Sequence, residues 1–367
     1  VNFQLPNNSK LNKMKNMIKV LSTGVMLAIG GQAFAQDIHF SQFYENSILR
    51  NPALTGIFSG DFKAGVNYRS QWASVATPYN TVAATAEARF VMNRAVGDYL
   101  SVGLGAYYDK AGSIGFASTS IFPSVAYNKA LNDKHNTYLS VGFTAGYISR
   151  SVDMSKMTFS SQVIGGVYSG SNASGENAPF NSLSAFDLGA GISLNSSLDL
   201  ENRVNYYLGA ALYHINRPTQ IFNGGYSTVK LPMKWQFNAG VNIVMSDHFS
   251  LAMHGNYSTQ KPYTESMLGG LITYHALTPG VPSIFAFGFG AFYRADDAFI
   301  PTVKLDYQSV SVGVSYDVNN SKLGSLSGGA SATEITLYIR SKFAHKTNPM
   351  DGIMCPRFES EVYQPFQ

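Results

Sequence analysis

The sequence predicts an all-β membrane protein, a closed transmembrane β-barrel of about 14 antiparallel strands in an outer membrane. Three observations predict it. Apolar and polar residues alternate over runs longer than a globular strand needs. Charged residues are only 13% of the chain, against about 25% in ordinary soluble domains, while aromatics also reach 13%, with 22 Tyr and 24 Phe. Finally, no stretch after the amino terminus approaches the roughly 20 apolar residues of a spanning helix. Few charges and many aromatics suit strands with one face toward lipid and the other toward a polar interior.

The elements follow in order. Residues 1–35 read as a cleavable signal peptide: Lys10, Lys13, Lys15 and Lys19 precede the apolar Val20–Ile29, and Ala33-Phe34-Ala35 is a small-x-small site. Met14 is a candidate initiator. Gln36 then begins the mature chain, and since it is not Cys a lipid anchor is excluded. The four signal lysines account for the formal net charge of +4, so the mature chain is neutral. Nucleic acid is therefore excluded as a partner, because phosphate neutralisation needs a cationic surface. Residues 36–57 are an extended leader, placed in the lumen as a plug or in the periplasm.

Fourteen alternating segments follow, near 61–70, 80–91, 99–109, 116–129, 137–149, 182–194, 204–216, 233–245, 248–258, 265–275, 284–294, 299–307, 310–319 and 332–343. Val310, Val312, Val314 and Tyr316 interleave with Ser311, Gly313, Ser315 and Asp317. Such runs suit the roughly 9–11 residues of a tilted spanning strand. In hydrocarbon every backbone amide must be bonded, so the sheet has to close. Residues 58–343 are therefore one barrel, and residues 344–367 a periplasmic tail. The even strand count puts both ends of the mature chain in the periplasm. The odd-to-even connections then face outside, the longest at 150–181.

Searching for chemistry returns no catalytic, cofactor or metal assignment. Gly103-x-Gly105, Gly189-x-Gly191 and Gly288-x-Gly290 lack the third glycine and the helix of a dinucleotide site, and instead mark inward positions that a neighbouring group approaches closely. The seven His show no metal-ligand spacing, and Ser occurs without a nucleophile elbow. Asp296-Asp297 suits a solvated turn or pairing with Arg294. Cys355 is the single cysteine, which excludes a disulfide framework and a multi-Cys metal site.

Several motifs carry a family resemblance: QDIHFSQFYENSILRNPALTG at 36–56, YRSQW at 68–72, TPYNT at 77–81, HINRP at 214–218, YRADDA at 293–298, SYDVNNSKL at 315–323 and Cys355-Pro356-Arg357-Phe358. In this order they resemble the PorP/SprF family of type IX secretion system outer-membrane proteins. The resemblance implies a non-enzymatic component found in Bacteroidota. Such a component supports secretion or surface retention of cargo, gliding-motility adhesins included, by engaging a cargo C-terminal domain or another subunit of the system. Parity places YRSQW, HINRP, YRADDA and SYDVNNSKL at the extracellular rim. Arg69, Trp72, Arg217, Arg294 and Asp317 are the candidate partner contacts, with Tyr68 and Trp72 also suited to an interface belt. No cofactor is implied; outer-membrane lipid is the surrounding partner. The alternative is an outer-membrane transporter or porin of the FadL type for small apolar solutes, whose leader plugs the lumen.

Overall fold

The computed structural model describes residues 37–341, apart from 73–76, 94–96, 113, 133–135, 175–181, 221–228, 279–280 and 321–329. The signal segment, Gln36 and the 344–367 tail with Cys355 lie outside these residues. Among the described residues no helix is long and apolar enough to cross a membrane.

The barrel strands are β1 (Phe62–Gln71), β2 (Tyr79–Asn93), β3 (Asp98–Ala111), β4 (Phe116–Asn132), β5 (Thr137–Ser151), β6 (Ser182–Ser197), β7 (Val204–Tyr213), β8 (Lys234–Val244), β9 (Phe249–Gln260), β10 (Tyr263–Thr278), β11 (Val281–Arg294), β12 (Ala298–Tyr307), β13 (Val310–Asn319) and β14 (Ala330–Ser341). Each pairs antiparallel with the next, and β14 returns to β1, so these 14 strands close with no free edge. The segment expected over 204–216 stops at Tyr213, because His214 and Arg217 take left-handed backbone at φ 56° and 48°.

The two faces divide as the alternation requires. On β14, Ile335, Leu337 and Ile339 point outward while Glu334, Thr336 and Tyr338 are buried; on β8, Trp235 and Phe237 are exposed while Gln236, Asn238 and Asn242 face in. The apolar outer wall meets lipid and the polar inner wall meets protein. Odd-to-even connections include 152–181 and 214–233, whereas no even-to-odd connection is longer than 198–203. Outer-membrane barrels carry long loops outside and short turns in the periplasm, so the long-loop end is the extracellular mouth. The longest loop carries a small hairpin of Val163–Ile164 against Val167–Tyr168.

The leader lies within the lumen. It is built from a 3-10 turn at Phe43–Glu45, one helical turn at Ser47–Arg50 and a second 3-10 turn at Pro52–Leu54. Asn51 starts the last of these, its side chain accepting from the Ala53 amide at 2.9 Å. Pro52 at the first helical position has no amide to leave unsatisfied. The wall makes room for this turn with glycines. A Cβ on Gly142 would come within 2.3 Å of the Pro52 carbonyl carbon, and one on Gly191 within 2.0 Å of Asn51 Oδ1. Leader side chains enter each buried apolar cluster: Phe40 and Ile48 with Tyr107, Phe122 and Ile148; Phe43 and Tyr44 with Met267, Phe292 and Ile300; Leu54 and Ile57 with Tyr207. The barrel thus has a protein core, supplied by its own amino-terminal segment.

The described start of the leader corrects one expectation. Ile38 and His39 lie beside Lys234 and Glu265, which sit at the long-loop ends of β8 and β10. Asp61 bonds back to Ser341 at the opposite end. The leader therefore descends from the extracellular mouth to the periplasmic rim. Parity of the strands does not place its start in the periplasm, because a lumenal segment can traverse the barrel once without adding a strand.

Candidate functional site

The site is built in two layers, a buried charge cluster under the mouth and a rim of loops above it. The inward positions near the long-loop ends of β1, β11, β13 and β14 carry Arg69, Arg294, Asp317 and Glu334, all buried. Charges are buried only when paired and hydrogen-bonded, and here they are. Asp317 Oδ2 accepts from Arg69 at 2.8 Å and also from Arg294; Glu334 lies 3.3 Å from Arg69. The leader completes the set. The Ser41 and Gln42 amides donate to the two Glu334 oxygens at 2.6 and 2.9 Å. Ser41 Oγ donates to Asp317 at 2.6 Å and accepts from Arg69. Gln42 reaches Ser315 and accepts from Thr336 at 2.9 Å.

Deeper in the lumen a second station holds Glu45. Its carboxylate lies 2.7 Å from Lys304 Nζ, 3.0 Å from Arg340 and 3.5 Å from Lys63. Burial by itself would raise the Glu45 carboxyl, but the three cations, Lys304 foremost, outweigh it and hold the group well below the ordinary value of 4.5. The remaining ties to the wall are polar. Ser47 donates to Glu87, the Gly56 amide donates to Glu87 at 2.9 Å, and Thr55 bonds Ser124 at 2.7 Å. Arg50 donates to the Tyr207 hydroxyl at 2.6 Å.

The pH dependence follows from Glu45. A carboxyl whose proton affinity is lower in the folded state stabilises above its unfolded value and loses that contribution as pH falls through its folded value. The Glu45 contribution to urea resistance should therefore be complete above pH 4.5 and be lost below it, read by fluorescence as the difference between the parent chain and Glu45→Gln across a pH series. Glu45→Gln should flatten the acid limb. An acid limb below pH 4.5 that is the same in Glu45→Gln as in the parent chain would show that another group governs it.

The rim is marked by its backbone. Trp72 (φ 61°), His214 (56°), Arg217 (48°) and Asp296 (58°) all take left-handed backbone, uncommon for Trp and Arg, while His and Asp accept it more readily. At the periplasmic turns the left-handed residues other than glycine are Asn136, Asn202 and Gln308, and Asn suits a turn. HINRP is bolted to β6: Asn216 donates to the Phe186 carbonyl at 2.6 Å and accepts from the Leu188 amide, and His214 pairs with the buried Asp187 at 2.9 Å. In YRADDA, Arg294 Nε reaches Asp297 at 2.5 Å, and the Asp297 carbonyl accepts from the Asn320 amide.

The five expected contacts thus divide. Arg217 is exposed and Trp72 half-buried at the rim, whereas Arg69, Arg294 and Asp317 are buried and converge under it on Ser41. Where they stand, those three touch the leader and one another. Glu334, Glu45, Lys63, Lys304 and Arg340 were not singled out from sequence; their signal was charge at inward positions of apolar-alternating strands, with one acid in an aromatic leader. Among the described residues no group of three or more His, Cys, Asp or Glu is arranged to hold a metal ion.

No curated protein matches the chain. Among solved structures it is similar to the toluene transporter TbuX of Ralstonia pickettii, at 13% identity over 84% of this chain and 95% of that one, with a TM-score of 0.49. It is also similar to a FadL homologue from Pseudomonas aeruginosa, at 10% identity over 78% and 91% with a TM-score of 0.49. The family model for the type IX secretion system membrane protein PorP/SprF matches residues 32–338, and with its motifs set on the rim and in the leader of an outer-membrane barrel the chain belongs to that family.

Proposed function

We propose that the extracellular rim binds a secreted protein of the type IX system, or another subunit of it, and does no chemistry there. The observation that carries this reading is the backbone of the rim. Bulky and charged residues sit in left-handed conformation within YRSQW, HINRP and YRADDA, and such costly geometry gathers where a surface is preorganised for a ligand. Trp72 and Arg217 are the direct contacts, as large amphipathic or fork-shaped side chains concentrate binding energy. Arg69, Arg294 and Asp317 act from below by fixing the leader and, through Asp297, the neighbouring turn. Secretion or surface retention of cargo, adhesins included, is the role this binding serves.

Replacing Trp72 and Arg217 together by Ala should leave the barrel assembled and weaken the partner by about 2 kcal/mol or more. Cargo should move from the cell surface into the medium or stay inside, measured by comparing the three fractions. Normal assembly with cargo where it was in the parent strain would reject rim recognition. The small-solute transporter reading is tested separately below, because the leader stands in the path it requires.

A further inference from the structure

The pairing of the two closing strands sets a problem that the leader solves. In the β1–β14 register, Lys63 lies directly opposite Arg340. Like charges opposite one another in an antiparallel pair oppose pairing, and here both side chains point into the lumen, with Lys304 close by on β12. Glu87 of β2 pairs opposite Lys63 and Asp306 lies 4.0 Å from Lys304, but the carboxylate within reach of all three cations is Glu45, and it comes from the leader rather than from a strand. Four residues earlier the leader spans the same seam again. Arg69 of β1 faces Glu334 of β14, and Ser41 joins both, donating its amide to Glu334 and accepting from Arg69. Between these stations Gln42 accepts from Thr336 of β14.

Sequence separation sets the entropic cost of these contacts. Glu45 precedes Lys63 by 18 residues, so the leader and β1 meet at a small loop-closure cost. Arg340 is 295 residues from Glu45 and belongs to the last strand. Long-range pairings bear the loop-closure entropy, so an arriving β14 gains most from a partner already in place on β1. The leader presents a carboxylate and two backbone amides there, matched to Arg340 and Glu334.

We propose that Ser41–Glu45 is an assembly factor carried in the chain itself, the template on which β14 recognises β1 and the barrel closes. The leader neutralises the cationic seam and offers donors to its acid, and closure occurs around it. This function is independent of rim binding and stands or falls separately.

The test is refolding of the urea-denatured mature chain into phospholipid vesicles, with closure followed by the faster mobility of the unheated barrel on a denaturing gel. Glu45→Gln should slow closure about tenfold or more, as expected when a buried charge loses its counterion. Adding Lys63→Gln and Arg340→Gln to Glu45→Gln removes the like-charge seam and should restore most of the parent rate. Parent-like closure of Glu45→Gln would overturn the proposal. So would a triple variant as slow as the single one, since Glu45 would then act by some route other than the seam.

Discussion

Asp317→Ala should destabilise the barrel by about 3–5 kcal/mol, the usual cost of removing one partner from a buried ion pair. Asp317 accepts from Arg69, Arg294 and Ser41 together, so its loss leaves two guanidinium groups sharing Glu334 and Asp297, and leaves the Ser41 hydroxyl proton without its acceptor. The urea midpoint of the detergent-purified protein should fall accordingly, and the leader near Ser41 should become open to protease at the extracellular mouth of intact cells. Arg217→Ala, on the exposed rim, should change stability by no more than about 0.5 kcal/mol. If Asp317→Ala unfolds at the parent midpoint, the cluster does not hold the leader. If Arg217→Ala is the more damaging of the two, the division between buried and rim residues is wrong.

The second large effect concerns the lumen. Gly142→Leu should unseat the leader, because a Cβ at that position meets the Pro52 carbonyl carbon at 2.3 Å and the Ala53 nitrogen at 2.5 Å. Both are backbone atoms, so no side-chain rotation relieves the contact. With the turn at Pro52–Leu54 displaced, the polar inner wall should admit solute. Vesicles carrying the parent barrel should exclude small sugars, and those carrying Gly142→Leu should swell in them. Gly255→Ala makes the control, since an added Cβ there meets Leu268 at an ordinary 3.4 Å. Parent vesicles that already pass solute at the variant's rate would favour transport over binding. A variant that assembles and stays closed would show that other parts of the chain seal the lumen.

The barrel was legible because alternation reports which solvent each face meets. Val312 and Val314 must go out if Ser311, Gly313 and Ser315 go in, and closure follows from the chemistry of hydrocarbon. The glycine pairs on strands were also legible as places of close approach, and Gly103 and Gly191 do adjoin leader atoms. The leader itself was not. Its three short turns have no helical or strand period, so nothing in 36–57 fixed its path or its direction through the lumen. That gap carried over to the site. Arg69, Arg294 and Asp317 were placed near the mouth correctly along their strands, but at a lumen-facing position charge can mean water or a buried partner. Only the leader's route decides between the two. Glu45 escaped notice for the same reason, since its three cations lie on strands remote in sequence.

A lumen occupied by the chain's own core has a consequence for capacity. Nothing the size of a polypeptide can pass through a barrel whose interior holds Phe40, Phe43, Tyr44, Ile48 and Leu54 packed against its wall. Any exported protein must therefore cross the membrane by another route. Under the rim-binding proposal each copy holds one passenger, so the load carried at the surface should rise in proportion to the number of barrels and saturate when they are full.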